Sequence, residues 1–203
     1  MFKMKRISLL FVVIIIFGCQ RNKNIESNSE LKSGPEIINL KYFGDIDTSD
    51  DPTTMWQKYA TINKQKVRLE LNYPKHSDKK SLFLKNKASL DNLEDVLQKA
   101  RKELRSDFDK KGITCEYIGD QLKGFKTEDY KFHKIKHDRN FDKNEKKLFN
   151  SIKLLRVGIF LVNTEHHITL SYTIPKKETY ISNELLVVTY NKNFNFVEIT
   201  IED

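Results

Sequence analysis

The sequence predicts an α+β domain: an antiparallel β-sheet with a long amphipathic helix packed on it and a C-terminal pair of β-hairpins. Three patterns carry this. Val67, Leu69, Leu71 and Tyr73 alternate with Arg68, Glu70 and Asn72, the period of a half-buried strand. Leu90, Leu93, Val96, Leu97, Ala100, Leu104 and Phe108 recur at spacings of three and four, the apolar stripe of a helix. The last fifty or so residues read as four short strands separated by polar turns, which suits an antiparallel sheet with one face left for the helix.

Residues 1–18 read as a secretory signal. Lys3, Lys5 and Arg6 precede Ile7–Phe17, in which Ser8 is the only polar residue. At about 1.5 Å per residue this stretch makes about 16 Å of helix, roughly half a bilayer core, too short to span and right for a signal h-region. It runs into Ile16-Phe17-Gly18-Cys19 and then polar Gln20-Arg21-Asn22. This resembles the lipobox of bacterial lipoproteins. The resemblance implies a diacylglycerol thioether on Cys19, cleavage before it, further acylation such as palmitate, and a place on the cell envelope, at the inner or the outer membrane. Several acyl chains hold firmly, at roughly 0.8 kcal/mol per buried CH₂. Residues 19–35 are then the lipidated cysteine and a flexible tether, rich in Asn, Ser, Lys and Glu. Residues 36–203 form a single domain.

Within it, Ile38, Leu40 and Tyr42 alternate as a strand ended by Gly44-Asp45, and Met55–Ile62 forms another, with Trp56 and Tyr59 on opposite faces. Asn63-Lys64 turns the chain into Val67–Tyr73, closed by Pro74. Ser89 is the candidate N-cap of the long helix and Gly112 its stop. A shorter helix carries Tyr117, Ile118 and Leu122. Residues 123–147 read as a polar, lysine-rich connection ending in a short helix around Leu148, Phe149 and Ile152. Leu154–Val162 turns at Asn163-Thr164-Glu165 into a strand with Ile168, Leu170, Tyr172 and Ile174 on one face. Glu184–Tyr190 turns at Asn191-Lys192-Asn193 into Asn195–Ile201.

Ser182-Asn183-Glu184-Leu185-Leu186-Val187-Val188-Thr189-Tyr190, followed by Phe196-Val197-Glu198-Ile199-Thr200, resembles the C-terminal signature of the bacterial family catalogued as domain of unknown function 2004. Leu154–Ile159 and Ser171-Tyr172-Thr173-Ile174 are similar to its preceding hairpin. The resemblance spans roughly residues 40–203 and implies an α+β fold without an activity.

The residues that carry chemistry are sparse. Of two cysteines, lipidation uses Cys19, so Cys115 has no intramolecular partner and no disulfide framework exists. Cys115 with a histidine is the candidate for a dispersed enzyme site, and a small buried hydrophobe is the plainer reading. His133-x-x-x-His137 with Asp138 has metal-ligand spacing, but Lys131, Lys134, Lys136 and Arg139 surround it and would repel a cation. His166 and His167 stand on opposite faces of a strand end. Glu94-Asp95 and Asp107/Asp109 read as the solvated face of the long helix. The seven glycines leave little material for a phosphate-cradling turn, and no cofactor or metal motif is present.

Charge is the one asymmetry. The chain carries +8, and +5 once residues 1–18 are removed. Residues 123–147 hold nine Lys/Arg against five acids, with Tyr130, Phe132 and Phe141 interleaved. A solvated loop is the plain reading. As a surface, Lys131, Lys134, Lys136 and Arg139 would suit an acidic protein, an anionic envelope polymer or lipid headgroups. An exported chain rarely meets nucleic acid. The expectation is a membrane-tethered, non-catalytic binding module, of which toxin-neutralising immunity proteins are one example; the alternative is an envelope enzyme built on Cys115.

Overall fold

A computed structural model describes residues 37–48, 55–73, 78–136, 140–161, 165, 167–176, 180–181 and 183–203. The signal and tether, Cys19, Pro74, His137, Asp138, Arg139, Asn163, Thr164, His166 and Ser182 lie outside the described residues.

The chain starts with a small hairpin, β1 (Ile37–Leu40) and β2 (Gly44–Asp47), in register from Ile37 opposite Asp47 to Leu40 opposite Gly44. The expected strand therefore ends two residues early. Lys41-Tyr42-Phe43 make the turn, and Gly44 takes a left-handed backbone (φ 71°) that opens the return strand. Phe43 is fully buried and meets Trp56 at 5.6 Å between ring centres. The hairpin tip is fastened to the helices through Asp91, which accepts the Lys41 amide at 2.9 Å and pairs with Lys87 Nζ at 2.9 Å. Partial burial pushes the Asp91 pKa up, but these donors outweigh it and hold the carboxyl below its ordinary value.

β3 (Met55–Ile62) and β4 (Gln65–Asn72) pair antiparallel through a two-residue turn whose central residues, Asn63 and Lys64, both have positive φ (49° and 64°). Five helices follow among the described residues: α1 (Lys79–Asp91), α2 (Leu93–Asp109), α3 (Ile113–Lys123), α4 (Thr127–Phe132) and α5 (Phe141–Ser151). The chain then returns as β5 (Lys153–Phe160) and β6 (Ile168–Thr173), the short pair β7 (Pro175–Lys176) and β8 (Tyr180–Ile181), and β9 (Leu185–Tyr190) and β10 (Phe196–Glu202).

The main sheet has the order β10-β9-β6-β5-β4-β3. The class is α+β with an antiparallel-rich sheet and C-terminal hairpins. One pair departs from the antiparallel rule: β4 and β5 run parallel, with Leu69 opposite Val157 and Leu71 opposite Ile159. A parallel pair needs a long crossover, and here all five helices form it. Val67, Leu69, Leu71, Val157, Ile159, Leu170, Tyr172, Leu186 and Val188 project to one face and share a single core cluster with the buried residues of the helices.

Two helices differ from expectation. Lys79–Asp91 is a helix of its own, so Ser89 lies within α1 and Asn92 stands at the start of α2. The Asp78 carboxylate opens α1 by accepting the Ser81 amide at 3.1 Å. Phe83 and Leu90 hold α1 on the core, and full burial of each such side chain stabilises by about 1.5–3 kcal/mol. Within 123–147, expected as a loop, Phe125 and Ile135 are buried around α4, and α5 begins at Phe141.

The end of α2 is built differently from a glycine stop. Lys111, at φ 60°, takes the left-handed position; its amide donates to Phe108 O at 3.1 Å and the Gly112 amide to Asp107 O at 2.9 Å, a Schellman closure. Gly112 instead precedes α3, whose Thr114 amide donates to Asp107 Oδ2 at 2.6 Å. A Cβ on Gly112 would collide with that carboxylate. Asp107 is thus a cap supplied by the preceding helix, and its assignment to the solvated face is corrected. Asp107→Ala should lower stability by about 1 kcal/mol, and Gly112→Ala should cost a similar amount by displacing the same carboxylate. Denaturant unfolding of the double variant should show a loss well short of the sum.

Candidate binding surfaces

Within the basic segment, residues 123–136 and 140–147 are described, and their backbone is held by specific contacts. Asp129 is buried at the head of α4 and accepts the Lys126 amide at 2.9 Å. Phe125 meets Tyr130 edge-on at 5.9 Å and stacks on His133 at 5.3 Å. Beyond α4, Lys134 is left-handed (φ 52°), its carbonyl accepts Lys147 Nζ at 3.0 Å, and the Lys136 carbonyl accepts Asn144 Nδ2 at 2.9 Å. With the backbone held by these contacts and by buried Ile135, the side chains of Lys131, Lys134 and Lys136 are exposed, as are those of Phe132 and Phe141.

His133 has a different use from metal ligation. Its Nε2 lies 2.7 Å from Pro175 O, so the ring donates that proton and ties α4 to β7. Burial lowers its pKa, against the opposing pull of the Pro175 carbonyl and Asp129. His167 is buried, its amide donating to Tyr190 O at 2.8 Å. Among the described residues no group of three His, Cys, Asp or Glu side chains is placed to hold a metal ion.

Cys115 lies in the first turn of α3, partly buried against the core. Burial and the Glu145 carboxylate raise its pKa, with Lys111 opposing them. A thiol held protonated is a poor nucleophile. Its charged neighbours are Glu145, Lys111, Asp107 and Asp142, whereas His133 sits among Phe125, Phe132 and Pro175; the two groups share none of these neighbours. Glu94, also expected on a solvated face, pairs with Lys41 at 3.6 Å and helps seat the β1–β2 hairpin.

A second surface lies on the sheet face opposite the core cluster. A cleft of about 300 Å³ there is lined by Tyr59, Lys66, Arg68, Leu155, Arg156 and Leu185. In the sequence these residues show only as outward positions of alternating strands. What unites them is register, which composition does not reveal. A separate cleft of about 370 Å³ between α2 and the sheet end is lined by Arg101, Lys102, Asn63 and Tyr172 among others. Arg101 is already engaged there, donating to Ile152 O at 3.2 Å.

Among the described residues no helix is long and apolar enough to cross a membrane. No family model, curated protein or solved structure matches the chain.

The His133 geometry makes stability depend on pH in a defined direction. The folded state prefers the neutral ring, while the unfolded chain protonates near the ordinary value of about 6.5. The unfolded state therefore binds more protons as pH falls through that value, and the contribution of His133 is present above it and lost below it. The difference in melting temperature between the protein and His133→Gln should shrink between about pH 7.5 and 5.5. A difference that stays constant across that window would contradict the assignment.

Proposed function

We propose that this chain is a lipid-anchored, non-catalytic binding module of the bacterial cell envelope, tethered through Cys19 and presenting the surface of Lys131, Lys134 and Lys136 to an acidic protein. The observation that carries the reading is the anchored platform: three exposed lysines and two exposed phenylalanines on a backbone fixed by Lys147, Asn144 and His133. A solvated connector has no use for such anchoring. Exposed aromatics among cations offer both desolvation and charge, the combination that protein interfaces favour over bare charge. Burial and the Glu145 carboxylate, which raise the Cys115 pKa, weigh against a nucleophilic role for that thiol.

Two outcomes test the reading. Replacing Lys131, Lys134 and Lys136 with Glu changes the charge of residues 123–147 from +4 to −2. Stability should move by no more than about 0.5 kcal/mol per site, while capture of acidic partners from envelope extract by the full-length protein in detergent should be lost. Capture by the unaltered protein should weaken from low to physiological salt, as the Debye length falls from about 30 Å at 0.01 M to about 8 Å. Unchanged capture by the charge-reversed protein would reject this surface. For the anchor, Cys19→Ser should abolish labelled-palmitate incorporation and partition into detergent. A variant still labelled and still detergent-bound would reject lipidation at Cys19.

A further inference from the structure

The sheet face opposite the core carries charges in an arrangement that does not serve sheet stability. Register places Tyr59 opposite Arg68, Arg68 opposite Arg156, and Arg156 opposite Ser171, one row across four strands. Like charges directly opposed on neighbouring strands weaken a sheet. Their compensation is incomplete. Arg68 Nε meets Glu70 Oε1 at 2.6 Å, but the Arg156 carboxylate partner, Glu202, stands at 3.9 Å. Arg156 instead donates Nε and Nη2 to Ser171 Oγ, at 3.2 and 3.1 Å, which fixes the plane of its guanidinium. Lys66 lies 4.6 Å from the centre of the Tyr59 ring. Among the described residues, the three cations that line this cleft, Lys66, Arg68 and Arg156, face the two carboxylates of Glu70 and Glu202, a surplus of one positive charge.

The walls are apolar. The bulge between Leu154 and Arg156 brings two consecutive side chains, Leu155 and Arg156, to the same cleft, where a regular strand would send them to opposite faces. Leu185 lines the cleft as well. A single surplus charge matches a carboxylate better than a phosphate dianion, and the planar forks of two arginines match carboxylate geometry. The leucine and tyrosine walls suit an apolar body attached to that carboxylate. We infer that the Arg68–Arg156 cleft binds a monocarboxylate carried on an apolar body, supplied either as a free acid or as the C-terminus of a peptide. This site is separate from the Lys131–Lys136 surface and does not depend on it.

Calorimetric titration of the full-length protein in detergent tests this with four probes: phenylacetate, N-acetyl-leucine, N-acetyl-leucinamide and inorganic phosphate. Phenylacetate, N-acetyl-leucine or both should bind; phenylacetate alone identifies free acids as the source, and N-acetyl-leucine alone identifies peptide C-termini. N-acetyl-leucinamide and phosphate should bind at least about tenfold more weakly than the better acid. Arg68→Gln and Arg156→Gln should each weaken that acid about tenfold. Arg156→Lys, which keeps the charge but loses the fork, should weaken it too. Arg68 is the more exposed of the pair, so Arg68→Gln serves if Arg156→Gln fails to fold. The triple Glu variant at Lys131, Lys134 and Lys136 should bind the acid as the unaltered protein does. Equal affinity for acid and amide, phosphate binding at least as tightly as the acids, or unchanged affinity in Arg68→Gln would overturn the assignment.

Discussion

The parallel alignment of β4 and β5 is the constraint from which the rest of this structure follows. Antiparallel neighbours are joined by a turn of two residues, as β3 and β4 are, but a parallel partner can be reached only by carrying the chain back to the start of the sheet. That return occupies the whole helical segment, α1 to α5. The helices bury their apolar residues in one cluster with Leu69, Leu71, Val157 and Ile159, so one face of the sheet becomes core. The same pairing aligns Arg68 with Arg156 on the opposite face. One backbone register thus sets both the core and the cationic cleft, and the lysine platform is a stretch of the crossover itself.

The crossover is stabilised at its joints by polar contacts between residues well separated along the chain. Asp91 binds the hairpin turn through the Lys41 amide, Asp107 opens α3, His133 reaches Pro175, and Gln121 donates to Glu184 at 2.6 Å. Each joins a helix to an element that the apolar stripe alone would not orient. Tyr117, inside α3, adds its hydroxyl to Glu184 O at 3.2 Å, and burial pushes its pKa up to about 12. Such contacts add little net stability each, roughly 0.5–1.5 kcal/mol, but they select one docking geometry among several that would bury similar area.

What the sequence showed was what local periodicity encodes. The β4 alternation, the α2 stripe, the Asn63-Lys64 turn and the opposite faces of Trp56 and Tyr59 appear in the structure because each depends on residues a few positions apart. α1 was not legible because Phe83 and Leu90 are seven residues apart with lysines between them. α4 was not legible because it has only six residues, with the buried apolar residues Phe125 and Ile135 lying just outside it, too few for a periodic stripe. The lysines of 131–136 could be read as exposed since no apolar period includes them. The roles of Asp107, His133 and Arg156 could not, because their partners lie 7 to 42 residues away. Nor could the parallel pair, since Val67, Leu69 and Leu71 alternate in the same way beside a neighbour of either direction.

The register of β4 against β5 is therefore the point to test. Cysteines placed at Arg68 and Arg156 stand directly opposite on adjacent strands, within the roughly 4.4–6.8 Å Cα separation a disulfide needs. Mild oxidation of the folded protein, followed by peptide mapping, should join these two cysteines in most molecules. Two cysteines that remain unjoined while each still reacts with a thiol reagent would mean that Arg68 and Arg156 are not neighbours, and both the crossover and the cleft would fall with that result.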